Sequence, residues 1–281
     1  MGSNHPIGVF FRPVWDKTEF RRFVESDHLF PTVVTIDPDY QATLAILAIY
    51  DFSKDPLSGR YSSAIFDQKR GIVLCTKKPR ELMNALTKKQ LLNFSHMRLI
   101  AEKLGFRSNH TLFCGRQLYM SLGGLHRRNT DWISLSVFDL TTCDHDGFAM
   151  SGKFKLSCCE QRHSLTLSFR TSKLPIRKFV SESVTIGVLC RSYLQEFLLH
   201  LGYSVKLPLP KGGAFAQSGY VKEDVLAQVQ QTYTVQQINQ NYRDRRLSQY
   251  AWKMAEMLKV PWFQSDHGFC SYTVRRSDFI E

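Results

Sequence analysis

The sequence predicts an α+β protein with a central antiparallel β-meander, flanking helices and an all-helical C-terminal extension. Two observations carry that prediction. From Thr111 onward, short runs alternate apolar and polar residues at period two, separated by turns rich in Gly, Asp, Asn or His. On either side of this block the apolar residues recur at helical spacing instead. The strand runs follow one another with no helix between them, so the βαβ rhythm of a parallel sheet is absent.

Residues 1–66 read as short strands and turns: "IGVFFRPVW" (7–15), "PTVVTI" (31–36) closing in the turn "DPDY", and "TLAILAIYDF" (43–52). Pro56 and Gly59 break the pattern, after which "AIFD", a turn over 68–71 and "IVLCT" form a hairpin. Pro79 suits the first position of a helix, where its missing N–H is harmless, and Leu82, Leu86, Leu91 and Leu92 follow at helical spacing. A second helix over 95–106 ends with Gly105 as its C-cap.

The alternating block then contains "TLFCG", "RQLYMSL", "DWISLSVFDL", "FAMSGKFKLSCCE", "HSLTLSFRT" and "PIRKFV" as strands. After Ser183, the residues Val184, Val188, Leu189, Tyr193, Leu194, Phe197, Leu198 and Leu201 form one apolar helix face. Residues 202–220, rich in Gly and Pro, read as a linker or exposed loop, and 223–259 reads as Gln-rich helix ended by Pro261. The expected organisation is an acidic strand-rich segment 1–66, a basic α+β core 67–201, a linker 202–220 and a helical segment 221–281.

Charge narrows the function. The formal net charge is +12, made of −2 in residues 1–66, +10 in residues 67–128 and +4 in residues 129–281. Positive charge concentrated in one part of a folded chain gathers polyanions, nucleic acid first, although a basic surface without a dedicated partner gives the same total. The seven cysteines are odd in number and scattered, and the N-terminus lacks the build of a secretory signal, which predicts reduced thiols and a cytoplasmic protein. The longest apolar run, residues 42–50, falls far short of the ~20 residues of a membrane span.

Motifs for chemistry are missing. The chain holds no Walker loop, no G-x-G-x-x-G between strand and helix and no G-x-S-x-G elbow. Cys143, His145, Cys158, Cys159 and His163 offer zinc-type ligands, but no C-x₂-C pair occurs, and adjacent Cys158 and Cys159 on a strand point to opposite faces. Ordinary buried or edge cysteines account for them. In "CDHDG" (143–147) a hairpin tip needs Asp and Gly for its own backbone hydrogen bonds, so neither a metal nor a catalytic role is assigned. No enzyme activity and no cofactor are expected.

A meander presents alternate side chains on one face, so Arg116, Lys153, Lys155, Arg162, Arg170 and Lys173 are expected to share a surface with the basic turn His126, Arg127 and Arg128. Lys153 and Lys155 lie two apart and point the same way, with Phe154 and Leu156 turned to the core. Such a strip suits phosphate contacts. Arg127 or Arg128 suits the narrow minor groove of A·T-rich DNA, where negative potential concentrates. The same pair is equally what a solvated hairpin tip carries. Trp132, on the strand after the turn, is expected in the core.

The stretches "RQLYMSLGGLHRRNTDWISLSVFDL", "KFKLSCCEQRHSLTLSF" and "SESVTIGVLCRSYLQEFLLHL" resemble, in order and spacing, the ComK family of bacterial competence transcription factors, over about a third of the chain. The matching elements are Arg127 and Arg128 in the turn, Trp132 and Ile133 in the strand, and more loosely Arg116 and Arg162. Thr130 and Asp131 depart from the cysteine-containing pair that family members carry before the tryptophan. The resemblance implies a competence-type activator that binds A·T-rich double-stranded DNA partly through the minor groove, assembles as a homo-oligomer and answers to a regulatory adaptor protein. The alternative expectation is a protein-interaction or assembly module built on the Gln-rich C-terminal helices, with incidental basic charge.

Overall fold

A computed structural model describes residues 14–26, 34–88, 90, 92–106, 110–123, 130–155, 162–170, 175–200, 207, 210, 212–232 and 240. Runs of strands and helices follow one another along the chain: β1 (Val14–Asp16), α1 (Lys17–Ser26), β2 (Val34–Ile36), β3 (Ile46–Asp51), β4 (Ser63–Asp67), β5 (Gly71–Cys75), α2 (Pro79–Thr87) and α3 (Phe94–Lys103), followed by β6 (Thr111–Cys114), β7 (Gln117–Ser121), β8 (Trp132–Ser134), β9 (Phe138–Cys143), β10 (Phe148–Lys155), β11 (Arg162–Phe169), α4 (Ile176–His200) and α5 (Glu223–Thr232). The α+β class stands. One compact unit runs from Met1 to Val229 and a second from Gln230 to Glu281; most of the second, with the rest of the helical extension, lies outside the described residues.

The strands form two sheets rather than one meander. A seven-stranded sheet has the order β2-β5-β4-β3-β8-β7-β6, and a four-stranded sheet the order β1-β11-β10-β9. The pairings are antiparallel except at two edges, where β2 runs parallel to β5 and β1 parallel to β11. The centre of the large sheet follows from composition. "ILAIYD", "SAIFD" and "GIVLC" are apolar on both faces, and all but Asp51 of these residues are buried. Only a central strand covered on both sides accommodates such runs. The segment read as N-terminal, 1–66, supplies β1, β2, β3 and most of β4 to these same sheets.

Three local readings are corrected. Residues 17–26, read among strands and turns, form α1: Phe20, Phe23 and Val24 share one buried face, and the Asp16 carboxylate caps the start by accepting from the N–H groups of Thr18 (2.8 Å) and Glu19 (3.3 Å). "PIRKFV", read as a strand, is the first turn and a half of α4, because Ile176, Val180 and Val184 repeat at i, i+4 and are all buried. The described part of 202–220, read as linker, forms two short 3-10 helices over Ala214–Ala216 and Ser218–Tyr220. Phe215 there is buried, against Phe113 and beside Gly187 of α4.

Two clusters make the core. One joins Tyr40, Ile49, Ile65, Val73, Leu82, Leu86, Leu112, Tyr119 and Trp132 beneath α2, with Phe94 against it. The expected burial of Trp132 is observed, at 3% exposure. The other is aromatic: Phe20 meets Trp15, Tyr50, Phe52 and Phe66, and Tyr50 reaches Phe169 of the small sheet at 5.6 Å between ring centres. Each such ring pair adds about 0.5–1.5 kcal/mol beyond its buried area, so these rings bind the two sheets together.

Candidate nucleic-acid interface

The two faces of β10 differ sharply. Phe148, Met150, Gly152 and Phe154 are buried, while Ala149 and Ser151 are half-buried and Lys153 and Lys155 exposed. The period-two alternation of "FAMSGKFK" dictates this: the large apolar residues occupy one set of positions and the lysines the other. Gly152 belongs to the inner set because a Cβ there would lie 2.8 Å from the Val137 carbonyl oxygen. The register places Ser164 of β11 opposite Lys153, Arg162 opposite Lys155 and Thr166 opposite Ser151.

Next to the lysines runs a row of hydroxyls across three strands. The oxygens of Thr141 and Ser151 are 3.3 Å apart, and those of Ser151 and Thr166 are 2.7 Å apart. No carboxylate pairs with Lys153 or Lys155 among the described residues. The outer face of the small sheet is therefore polar and positively charged at the Lys155 end, with backbone groups already satisfied by the ladder. It can hold anions by charge; the hydroxyl protons of the row are taken up by one another and by the Ala149 carbonyl, to which Thr141 donates.

The other expected members of the face divide. Arg170 is exposed at the opposite end of β11 from Arg162, and its Nε lies 3.3 Å from the Asp16 carboxylate. Arg116 is exposed in the turn between β6 and β7, on the seven-stranded sheet. Arg116 does not join the lysines, because the strand block splits between two sheets at residues 135–137, and Arg170 lies at the other end of the small sheet, beside Asp16. The side chain of Arg162, and all of His126, Arg127, Arg128 and Lys173, lie outside the described residues.

The chain on either side of that basic turn is firmly held. The Leu122 N–H donates to the Asp131 carbonyl (3.0 Å), and the Ser121 hydroxyl donates to the Gly123 carbonyl (2.7 Å). His110 Nδ1 lies 3.3 Å from the same carbonyl, and its ring stacks on Phe179 at 4.1 Å between ring centres. Asp131 Oδ1 accepts from the Asp51 N–H (2.6 Å) and from Lys17 Nζ (2.8 Å). Burial raises the Asp131 carboxyl above the ordinary carboxylate value, only partly offset by Lys17, and burial lowers the His110 imidazole.

One contact was not visible in the sequence. The Gln68 side-chain amide, in the turn between β4 and β5, donates to the Lys155 carbonyl oxygen at 2.6 Å, so the "DQKRG" turn of the large sheet meets the lysine end of the small one. The sequence marked this turn only as part of a hairpin; its pairing with β10, 87 positions away, is tertiary.

Among the described residues no group of three His, Cys, Asp or Glu side chains is arranged to hold a metal ion. "CDHDG" is the β9–β10 turn, where the Asp144 carboxylate accepts from the N–H groups of Asp146 (3.1 Å) and Gly147 (3.0 Å), and Cys143 and His145 are exposed. No described helix is long and apolar enough to cross a membrane. No protein-family model, curated protein or solved structure matches the chain.

Proposed function

We propose that this protein is a cytoplasmic DNA-binding transcription regulator, of the competence-activator type, acting as a homo-oligomer on A·T-rich duplex DNA. The observation that carries the proposal is the exposed pair Lys153 and Lys155, on the outer face of the small sheet, without carboxylate partners among the described residues. Backbone contacts of this kind position a protein on a duplex and carry no sequence information. Selectivity is assigned to Arg127 and Arg128, which suit a narrow minor groove and sit in a segment whose flanks are pinned at Gly123 and Asp131. The charge concentration and the competence-factor resemblance support the same reading.

The test is binding of the full chain to A·T-rich and G·C-rich duplexes across a salt series, alongside Arg127→Ala with Arg128→Ala. The expected result is affinity that falls with salt, a preference for A·T, and a double variant that folds normally but loses that preference. A parent protein with neither salt slope nor preference contradicts the proposal.

A further inference from the structure

The β4–β5 turn has features of a binding element rather than a passive connection. Asp67, only 1% exposed, is its hub: the Tyr40 hydroxyl donates to Oδ2 (2.5 Å), and Oδ1 accepts from the N–H groups of Lys69 (2.7 Å) and Arg70 (3.0 Å). Gly71 closes the turn at φ +79°, a left-handed conformation that glycine adopts without steric cost. The backbone carrying Lys69 is thus fixed from inside the core, and Gln68 ties it to the last residue of β10. The two cations of the turn differ. Arg70 Nη1 lies 2.6 Å from the Asp37 carboxylate, with its guanidinium over the Tyr40 ring, whereas Lys69 is exposed and has no ion pair among the described residues.

We propose that Lys69 is a phosphate-contacting residue of the same duplex-binding face as Lys153 and Lys155, held there by the Gln68 bridge; this deepens the function proposed above and rests on it. The occupant follows from charge complementarity. Three ammonium groups without ion pairs among the described residues, two on a strand at i, i+2 spacing of ~6.7 Å and one on an adjoining rigid turn, suit a polymer of regularly spaced anions better than one small anion. Asp67 and Gln68 act as positioning residues, and Arg70 is reserved by Asp37.

The experiment compares the parent, Lys69→Gln and Lys54→Gln by fluorescence anisotropy on a labelled duplex over a sodium chloride series. Lys54 is the control, exposed just beyond the other end of the β3–β4 ladder, where Asp51 pairs with Ser63. Each neutralised phosphate contributes about 0.9 to the slope of log K against log salt. Lys69→Gln should therefore reduce the slope by about 0.9, and Lys54→Gln should leave it unchanged. An unchanged slope in Lys69→Gln, or equal reductions in both variants, overturns the assignment of Lys69 while the duplex-binding reading stands. A parent that binds no duplex overturns both.

Discussion

Lys17 and Asp131, on α1 and on the residue before β8, meet at 2.8 Å although they stand 114 positions apart. The same Asp131 oxygen takes the Asp51 N–H, so a single carboxylate joins the N-terminal helix, the central strand β3 and the downstream flank of the basic turn.

A carboxyl raised in the folded state binds its proton more tightly there. Its own titration therefore favours folding on the acid side and opposes it as pH rises through the raised value. Lys17 reduces that opposition by pairing with the ionised form. Lys17→Met should cost about 1–2 kcal/mol at pH 7, after discounting for a lysine side chain that is 35% exposed. The cost should disappear as pH falls below the raised value of the folded state, where Asp131 is protonated whether or not Lys17 is present. Urea titrations at several pH values check this; a cost independent of pH would show that the ion pair is not its source.

His110 has the opposite sign of dependence. Burial lowers its imidazole below 6.5, so the unfolded chain takes up a proton first as pH falls. Its contribution is complete above 6.5 and is lost as pH falls from there through the lowered folded value. His110→Gln should flatten the stability profile between pH 7 and 5 in thermal melts, even where the variant is less stable overall. An unaltered slope would place the acid sensitivity elsewhere.

Two glycines with the same backbone sign separate strain from crowding. Gly59 (φ +66°) has open space where a Cβ would go, whereas at Gly213 (φ +72°) a Cβ would lie 2.4 Å from the Leu135 carbonyl oxygen. Gly59→Ala should cost ~1 kcal/mol from the left-handed conformation alone. Gly213→Ala should cost at least ~3 kcal/mol, because the strain adds to a clash between backbone atoms. Equal losses would mean that the 3-10 segment moves away freely.

These relationships mark how far the sequence could be read. The α+β class, the hairpin at Asp67–Gly71, the helix begun by Pro79, the "CDHDG" tip and the buried Trp132 follow from local period and turn chemistry, which a linear chain displays openly. The alternation in "FAMSGKFK" likewise predicted which way Lys153 and Lys155 face. The partition of the strand block was hidden, because nothing in "SLSVFDL" states that β8 joins Ala48 and Ile49 while β9 joins β10. Arg116 was therefore grouped with residues on another sheet, whereas Arg170 was grouped with residues at the far end of its own. Helix α1 escaped notice although Phe20, Phe23 and Val24 have helical spacing, since the aromatic and β-branched residues around it suggested strands. The Gly- and Pro-rich composition of 202–220 concealed Phe215, whose burial depends on Gly187 leaving room.

In the proposed function the lysine face of the small sheet holds a duplex by its phosphates. The most direct measurement is the salt dependence of duplex affinity for Lys153→Gln with Lys155→Gln, beside the parent. The expected slope of log K against log salt is lower by about 1.8, with stability unchanged within about 0.5 kcal/mol, because both side chains are exposed. A well-folded double variant with the parent's slope would contradict it.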